Sequence, residues 1–279
     1  MLYKNTEAVI EERWNQEVMY LVYPLLEKTG IVKHGFSTRI GGVSKEHLGT
    51  MNLSFSRGDD AEAVRENYRR MANALDVSYD SFVFSQQTHT TNVRTVTADD
   101  RGKGIVYPLD YQDVDGLITN VPGLCLSTFY ADCVPLYFVD PVHRSIGLSH
   151  SGWRGTVGRM GQVTLQRMTE EFGTDPSDVI AAIGPSICQD CYEVSEDVIE
   201  QFQRAFSQEH WDELYYKKEN GKYQLNLWKA NEIVMLEAGV KKENIAVTNI
   251  CTCCNSDILF SHRASQGKRG NLAAFLSLK

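Results

Sequence analysis

The stretch that decides the fold is residues 124–150, LCLSTFYADCVPLYFVDPVHRSIGLSH. Within it, Leu124 to Tyr130, Leu136 to Val139 and Ser145 to Ser149 are rich in apolar, β-branched and aromatic residues and read as strands. Only residues 131–135 and 140–144 separate them. A parallel crossover needs a dozen or more residues, so the three runs are expected to be antiparallel neighbours. Outward from this core, β-type runs recur at Ser81 to Phe84, Val179 to Ile183 and Ile245 to Ile250. Helical spacing appears between them. Val64, Tyr68, Met71 and Leu75 share a helix face behind Asp59 and Asp60, which suit an N-terminus. A second helix is expected from Gly158 to Phe172, ending at Gly173, a third from a Ser195 cap through Phe206, and a fourth from Trp228 to Ala238 before Gly239. Strands interspersed with helices place the chain in the α/β or α+β class, with a mixed sheet.

The 279 residues, 42% of them apolar, are enough for a substantial core. No linker, repeat or break in composition divides them, so 1–279 reads as a single domain. Met1 to Trp14 holds no apolar run resembling a signal-peptide core, and no stretch reaches the roughly 20 apolar residues that cross a bilayer. No membrane association and a cytoplasmic location are expected. A net charge of −8 works against binding nucleic acid, which depends on clustered Lys and Arg. Seven cysteines, an odd number, read as reduced thiols or metal ligands rather than a disulfide framework.

Three segments put metal-capable or reactive side chains at strand ends: Gln86 to His89, Ala131 to Pro135, and Ser149 to Thr156. Zinc accepts imidazole and thiolate, and a catalytic site uses three protein ligands with a fourth position open. His89, Cys133 and His150 meet that requirement. On the residues alone the other reading is a loop histidine, a small buried thiol and a strand-end histidine, because the three match no compact metal motif. A second group, Cys188, Cys191, Cys251, Cys253 and Cys254, holds enough thiols for a structural site. The 59 residues between its two halves and the adjacent Cys253 and Cys254 favour core or loop thiols instead.

Two arginines lie in glycine-rich surroundings able to receive phosphate. Arg39 lies in Gly35 to Ser44 (GFSTRIGGVS), which reads either as an anion loop or as a hairpin turn with a surface charge. Arg154 lies in Gly152 to Thr156, between a strand and a helix, where free backbone donors favour an anion. The other reading there is that the glycines only close the connection, with Trp153 in the core.

At these same residues the chain resembles the laccase-domain family, also labelled multicopper polyphenol oxidase, whose members are zinc-dependent purine nucleoside phosphorylases. The landmarks are Gly35–Ser44, Gln87–His89 (QTH), Asp113–Ile118 (DVDGLI), Ala131–Pro135 (ADCVP), His150–Gly155 (HSGWRG), Ile183–Cys188 (IGPSIC) with Tyr192–Val194, and Phe260–Arg263 (FSHR). The resemblance implies α/β/β/α layers, a catalytic metal on His89, Cys133 and His150, and phosphorolysis or deamination of adenosine, inosine and methylthioadenosine. Purine nucleosides and inorganic phosphate would then be the ligands. Where the family has Tyr-Arg-Arg, this chain has His262-Arg263-Ala264, one basic side chain fewer.

In the mechanism expected from this, phosphate held by Arg39 or Arg154 attacks the anomeric carbon, or water attacks C6 of the purine. Asp132 either assists proton transfer or orients a metal ligand. Gln87 and Arg263 are further substrate-contact candidates. Copper-dependent polyphenol oxidation is the rival chemistry, although it needs many histidines and, of the seven present, only His89 and His150 lie in motifs that point to a metal. A cysteine hydrolase with Cys133 as nucleophile, and a metal-stabilised binding module, complete the alternatives.

Overall fold

The computed structural model describes residues 1–279. Two six-stranded sheets face each other. The first runs, edge to edge, Glu11–Asn15, Val18–Val22, Val32–Ser37, Leu272–Leu278, Cys125–Tyr130, Phe82–Phe84. The second runs Ile245–Val247, Ile180–Ile183, Val134–Asp140, Ser145–Ser151, Gly116–Thr119, Val93–Thr95. Both are mixed, with parallel pairs confined to their edges. A small third sheet joins Glu193–Val194, Tyr223–Leu225 and Tyr215–Lys217.

The period of two along each strand builds the layers. Leu126, Leu276 and Phe36 of the first sheet meet Leu117, Tyr137 and Leu148 of the second in the central core. Phe275, next to Leu276, points the other way and packs with Val64, Tyr68 and Met71 of the helix Ala61–Leu75. Leu136 and Phe138, flanking Tyr137, point outward to the helices Met160–Phe172 and Leu227–Glu237. The order is helix, sheet, sheet, helix, as the resemblance implies. None of these helices is long and apolar enough to cross a membrane.

One sequence expectation is corrected. Val134–Asp140 and Ser145–Ser151 are antiparallel partners, but Cys125–Tyr130 pairs with Leu272–Leu278 and Phe82–Phe84 in the other sheet. Ala131 to Cys133 therefore carries the chain from one sheet to the facing one, with Asp132 at a φ of +89° in the bend. Both strands are buried on both faces, so their apolar pattern cannot distinguish pairing within a sheet from stacking between sheets.

The helix expected from Gly158 to Phe172 is present as Met160–Phe172, with a separate short helix ahead of it. Trp153–Val157 forms a short helix, and Arg159, at a φ of +61°, separates it from Met160–Phe172. Ser195 precedes the helix Glu196–Ala205, but its hydroxyl bonds the Asp197 carboxylate and leaves the backbone uncapped. The expected turn at Gly35 to Ser44 begins as a strand, since Val32–Ser37 is paired on both sides. The tight approaches are at Gly41 and Gly42, where a Cβ would collide with the carbonyl oxygens of Glu17 and Thr50.

Candidate metal centre and substrate pocket

The bend that carries Cys133 between the sheets meets the end of Ser145–Ser151, which carries His150, and the loop after Phe82–Phe84, which carries His89. One donor atom from each of the three residues lies within 4.8 Å of the others. His150 is buried, whereas His89 stands exposed at a φ of +69°. Their rings meet edge to face, with centroids 4.9 Å apart. Gly152 permits this approach: a Cβ there would lie 3.2 Å from both Cys133 Sγ and His89 Cδ2.

Asp115 holds the group in shape. Its buried carboxylate accepts the backbone N–H of Thr88 at 2.8 Å, of His89 at 3.1 Å and of Thr90 at 3.2 Å, fixing the unusual loop conformation. It also lies 2.8 Å from His150 Nδ1. With Nδ1 engaged by the carboxylate, Nε2 is the nitrogen left to ligate, the usual arrangement behind a metal-bound imidazole.

The electrostatics favour a cation here. Burial opposes ionisation of the Cys133 thiol, but the His150 charge and hydrogen bonds from both histidines outweigh it and hold the thiol at about 6. Burial likewise opposes protonation of His150, which Cys133 and Asp115 together raise to about 9. A thiolate, two imidazoles and an orienting carboxylate fit the donor preference of zinc.

The group opens into a cavity of about 880 Å³ with aromatic walls that include Phe129 and Tyr192. Asp132, Gln87 and Arg263 line it. Asp132 accepts the Thr252 hydroxyl at 2.6 Å and the Arg263 N–H at 2.7 Å, so each carboxylate oxygen already has a donor. Gln87 clamps a neighbouring strand: its amide donates to Phe129 O and accepts Phe129 N–H and the Ser85 hydroxyl. The Arg263 guanidinium donates to Cys191 O and Glu193 O, bracing the wall that carries Tyr192.

The other two arginines are not brought to the cavity wall. Arg39 donates to Gly49 O and Ser256 O and lies 4.7 Å from the Phe260 ring centre, which makes it a brace between loops. Its Nε and Nη1 donate to these carbonyls, away from the cavity that the phosphate role expected for it would require. Arg154 stacks on Trp153 at 4.4 Å, outside the lining residues.

Sequence reasoning found Arg263 but passed over two further arginines that line the cavity, Arg57 and Arg269. Both guanidinium groups bond Asn271 Oδ1. Arg269 Nε is buried without a partner. Burial, then the Arg57 charge, lowers Arg269 to about 10. Two like charges and an unused donor suit an anion. Nothing in Arg57-Gly58 or Lys268-Arg269 distinguishes them locally, since they meet only in the fold. Asp115 was visible inside Asp113–Ile118, but its role depends on which loops converge on it.

Two facing mixed sheets with a His-Cys-His group at the end of an aromatic cavity define a mixed α/β fold carrying a candidate metal centre. The family model described as "multi-copper polyphenol oxidoreductase laccase" matches residues 33–279. Purine nucleoside phosphorylase YlmD of Bacillus subtilis is 36% identical over 246 residues, covering 88% of each chain. Adenosine deaminase RL5, from an unknown prokaryotic organism, is 34% identical over 249 residues, covering 85% of this chain and 93% of its own. The crystal structure of the Bacillus licheniformis hypothetical protein YfiH superposes with a TM-score of 0.90 at 32% identity, covering 96% of this chain and 99% of that one. The chain belongs to the laccase-domain family.

Proposed function

We propose that the protein is a purine nucleoside phosphorylase that also deaminates adenosine, with zinc held by His89, Cys133 and His150. The observation that carries this reading is the opening of that three-donor group into an aromatic cavity that also holds the Arg57–Arg269 pair. The names of the Bacillus subtilis and RL5 relatives support the two reactions. Residues 1–279 act as one unit in this reading, since Leu272–Leu278 is central in the first sheet.

Bound zinc supplies Lewis-acid polarisation of an oxygen and offsets negative charge. The chain's own residues do the rest. Arg57 and Arg269 bind and orient phosphate for attack on the anomeric carbon. Phe129 and Tyr192 offer faces for the purine and exclude water from it. Asp132, with both oxygens engaged, positions the Cys133 bend rather than moving protons. Adenosine, inosine and methylthioadenosine are the substrates to test.

Zinc is preferred to copper because the remaining histidines do not gather into further centres. His34 accepts the Tyr23 N–H and His143 pairs with Asp140, and neither shares in the His89, Cys133, His150 group. A location in the cytoplasm accords with the need to keep Cys133 reduced. The Cys133 thiol, held at about 6 next to His150, favours a second reading, a Cys133 nucleophile. That chemistry would survive chelation and leave a trapped adduct. The test incubates the metal-analysed protein with each nucleoside, with and without phosphate, and identifies the products. Phosphate-dependent release of free base and ribose 1-phosphate supports the proposal; nucleosides recovered intact refute it.

A further inference from the structure

Behind the pocket wall lies a second convergence. The Sγ atoms of Cys188, Cys191, Cys251 and Cys254 all lie within 4.8 Å of one another, and those of Cys191 and Cys254 are 3.5 Å apart. Four sulfurs placed about 2.3 Å from one tetrahedral centre would be roughly 3.8 Å apart, within the observed spread. We propose that these four thiolates hold a structural zinc ion, separate from the His-Cys-His group and independent of the reaction assigned to it.

The sequence carries the pattern in two Cys-x-x-Cys knuckles, Cys188 to Cys191 and Cys251 to Cys254. Each knuckle turns at once, the first through the 3₁₀ turn Gln189–Cys191 and the second through the turns that follow Cys251. A bridge pairs Ser186 with Cys251, and Thr252 N–H donates to Ser186 O, which sets the two knuckles side by side. Backbone N–H groups of Cys188 and Cys254 point at Cys251 Sγ, at 3.2 and 3.4 Å, as donors that favour thiolate. Cys253, between the second pair, packs instead with the apolar cluster on the outer face of the second sheet. The Lys4 ammonium, 3.0 Å from Asp190 inside the first knuckle, offsets the negative charge of a zinc tetrathiolate.

The knuckles also serve the cavity. Ile187 and Tyr192, which flank the first, line it. Thr252, inside the second, donates to Asp132, and Cys191 O accepts from Arg263. An ion shared by the knuckles would fasten these wall contacts together.

The test is zinc counted by mass spectrometry on full-length protein purified without chelator, as wild type, Cys191→Ser/Cys254→Ser, Cys133→Ser and Cys253→Ser. The expected contents are about two, one, one and two zinc ions per chain. The zinc kept by Cys133→Ser should show four sulfur neighbours near 2.3 Å by X-ray absorption, a measurement that does not depend on the double variant folding. Wild-type zinc unchanged by Cys191→Ser/Cys254→Ser would overturn the proposal. So would iron in place of zinc, a Cys191–Cys254 disulfide in the native protein, or Cys133→Ser carrying no sulfur-bound zinc. Loss of the Cys133 site alone bears only on the nucleoside reading.

Discussion

Replacing Asp115 by Asn changes one oxygen to an amide nitrogen without changing volume, and no orientation of that amide suits the site. One carboxylate oxygen faces the His89 N–H and His150 Nδ1, and the other faces the N–H groups of Thr88 and Thr90. Turned either way, the amide sets a donor against donors on one side. If that side is His150, the imidazole moves its proton to Nε2 and cannot ligate; if it is the loop, His89 loses its fixed position.

Two acceptor contacts to a buried carboxylate are lost, which costs on the order of 3 kcal/mol in stability. Loss of such an orienting partner typically costs about 10–100-fold in metal affinity. Competition with a chromophoric chelator at pH 7 measures the affinity at the Cys133 site, and urea unfolding measures the stability. The acid dependence has a definite sign. Burial works against the Asp115 charge, but His150 and the loop N–H groups outweigh it and hold the carboxyl below its ordinary value. Its contribution is therefore complete above the ordinary carboxylate range, about pH 4, and lost as pH falls through the depressed value. The stability gap between wild type and Asp115→Asn should be full at pH 7 and close in strong acid. Zinc affinity within threefold of wild type, or a gap that widens in acid, would refute the role given to Asp115.

Arg57→Ala and Arg269→Ala should each reduce phosphorolysis at least tenfold while adenosine deamination falls less, because only the first reaction binds phosphate; equal losses in product assays would remove the anion site. Arg39→Ala should instead cost about 1–3 kcal/mol in stability through its carbonyl bonds and Phe260 contact, with both activities lowered together, and selective loss of phosphorolysis would restore Arg39 to the pocket. In protein stripped of metal, a Cys133 thiol at about 6 is roughly 90% ionised at pH 7. Peptide mapping after brief iodoacetamide treatment should find Cys133 alkylated well ahead of buried Cys125, and protection by added zinc.

The parts of the fold legible in the sequence are those with a strong local period. The Val64, Tyr68, Met71, Leu75 face and the apolar runs from residue 124 to 149 fall where expected. Glu11–Asn15 was missed because an exposed edge strand rich in Glu and Arg has no buried face to reveal it. Leu272–Leu278 was missed for the opposite reason: it is buried throughout and shows no alternation. At the site, His89, Cys133 and His150 could be named from motifs, but their meeting depends on a bend that changes sheets. The two Cys-x-x-Cys knuckles were in plain view, and their separation argued against them. The residues between form a substructure, including Glu196–Ala205 and Leu227–Glu237, that returns the chain to its starting place. Sequence distance carries no information about such a return.

The most direct test of the central claim is phosphate-dependent base release from adenosine by wild type and Cys133→Ser, with zinc counted on the same samples. The account predicts that Cys133→Ser loses the zinc of the His-Cys-His group and at least a thousandfold of the turnover, since ligands holding one ion act as a unit, while circular dichroism stays that of the folded protein. Cys133→Ser protein with undiminished zinc, whether active or not, would contradict it.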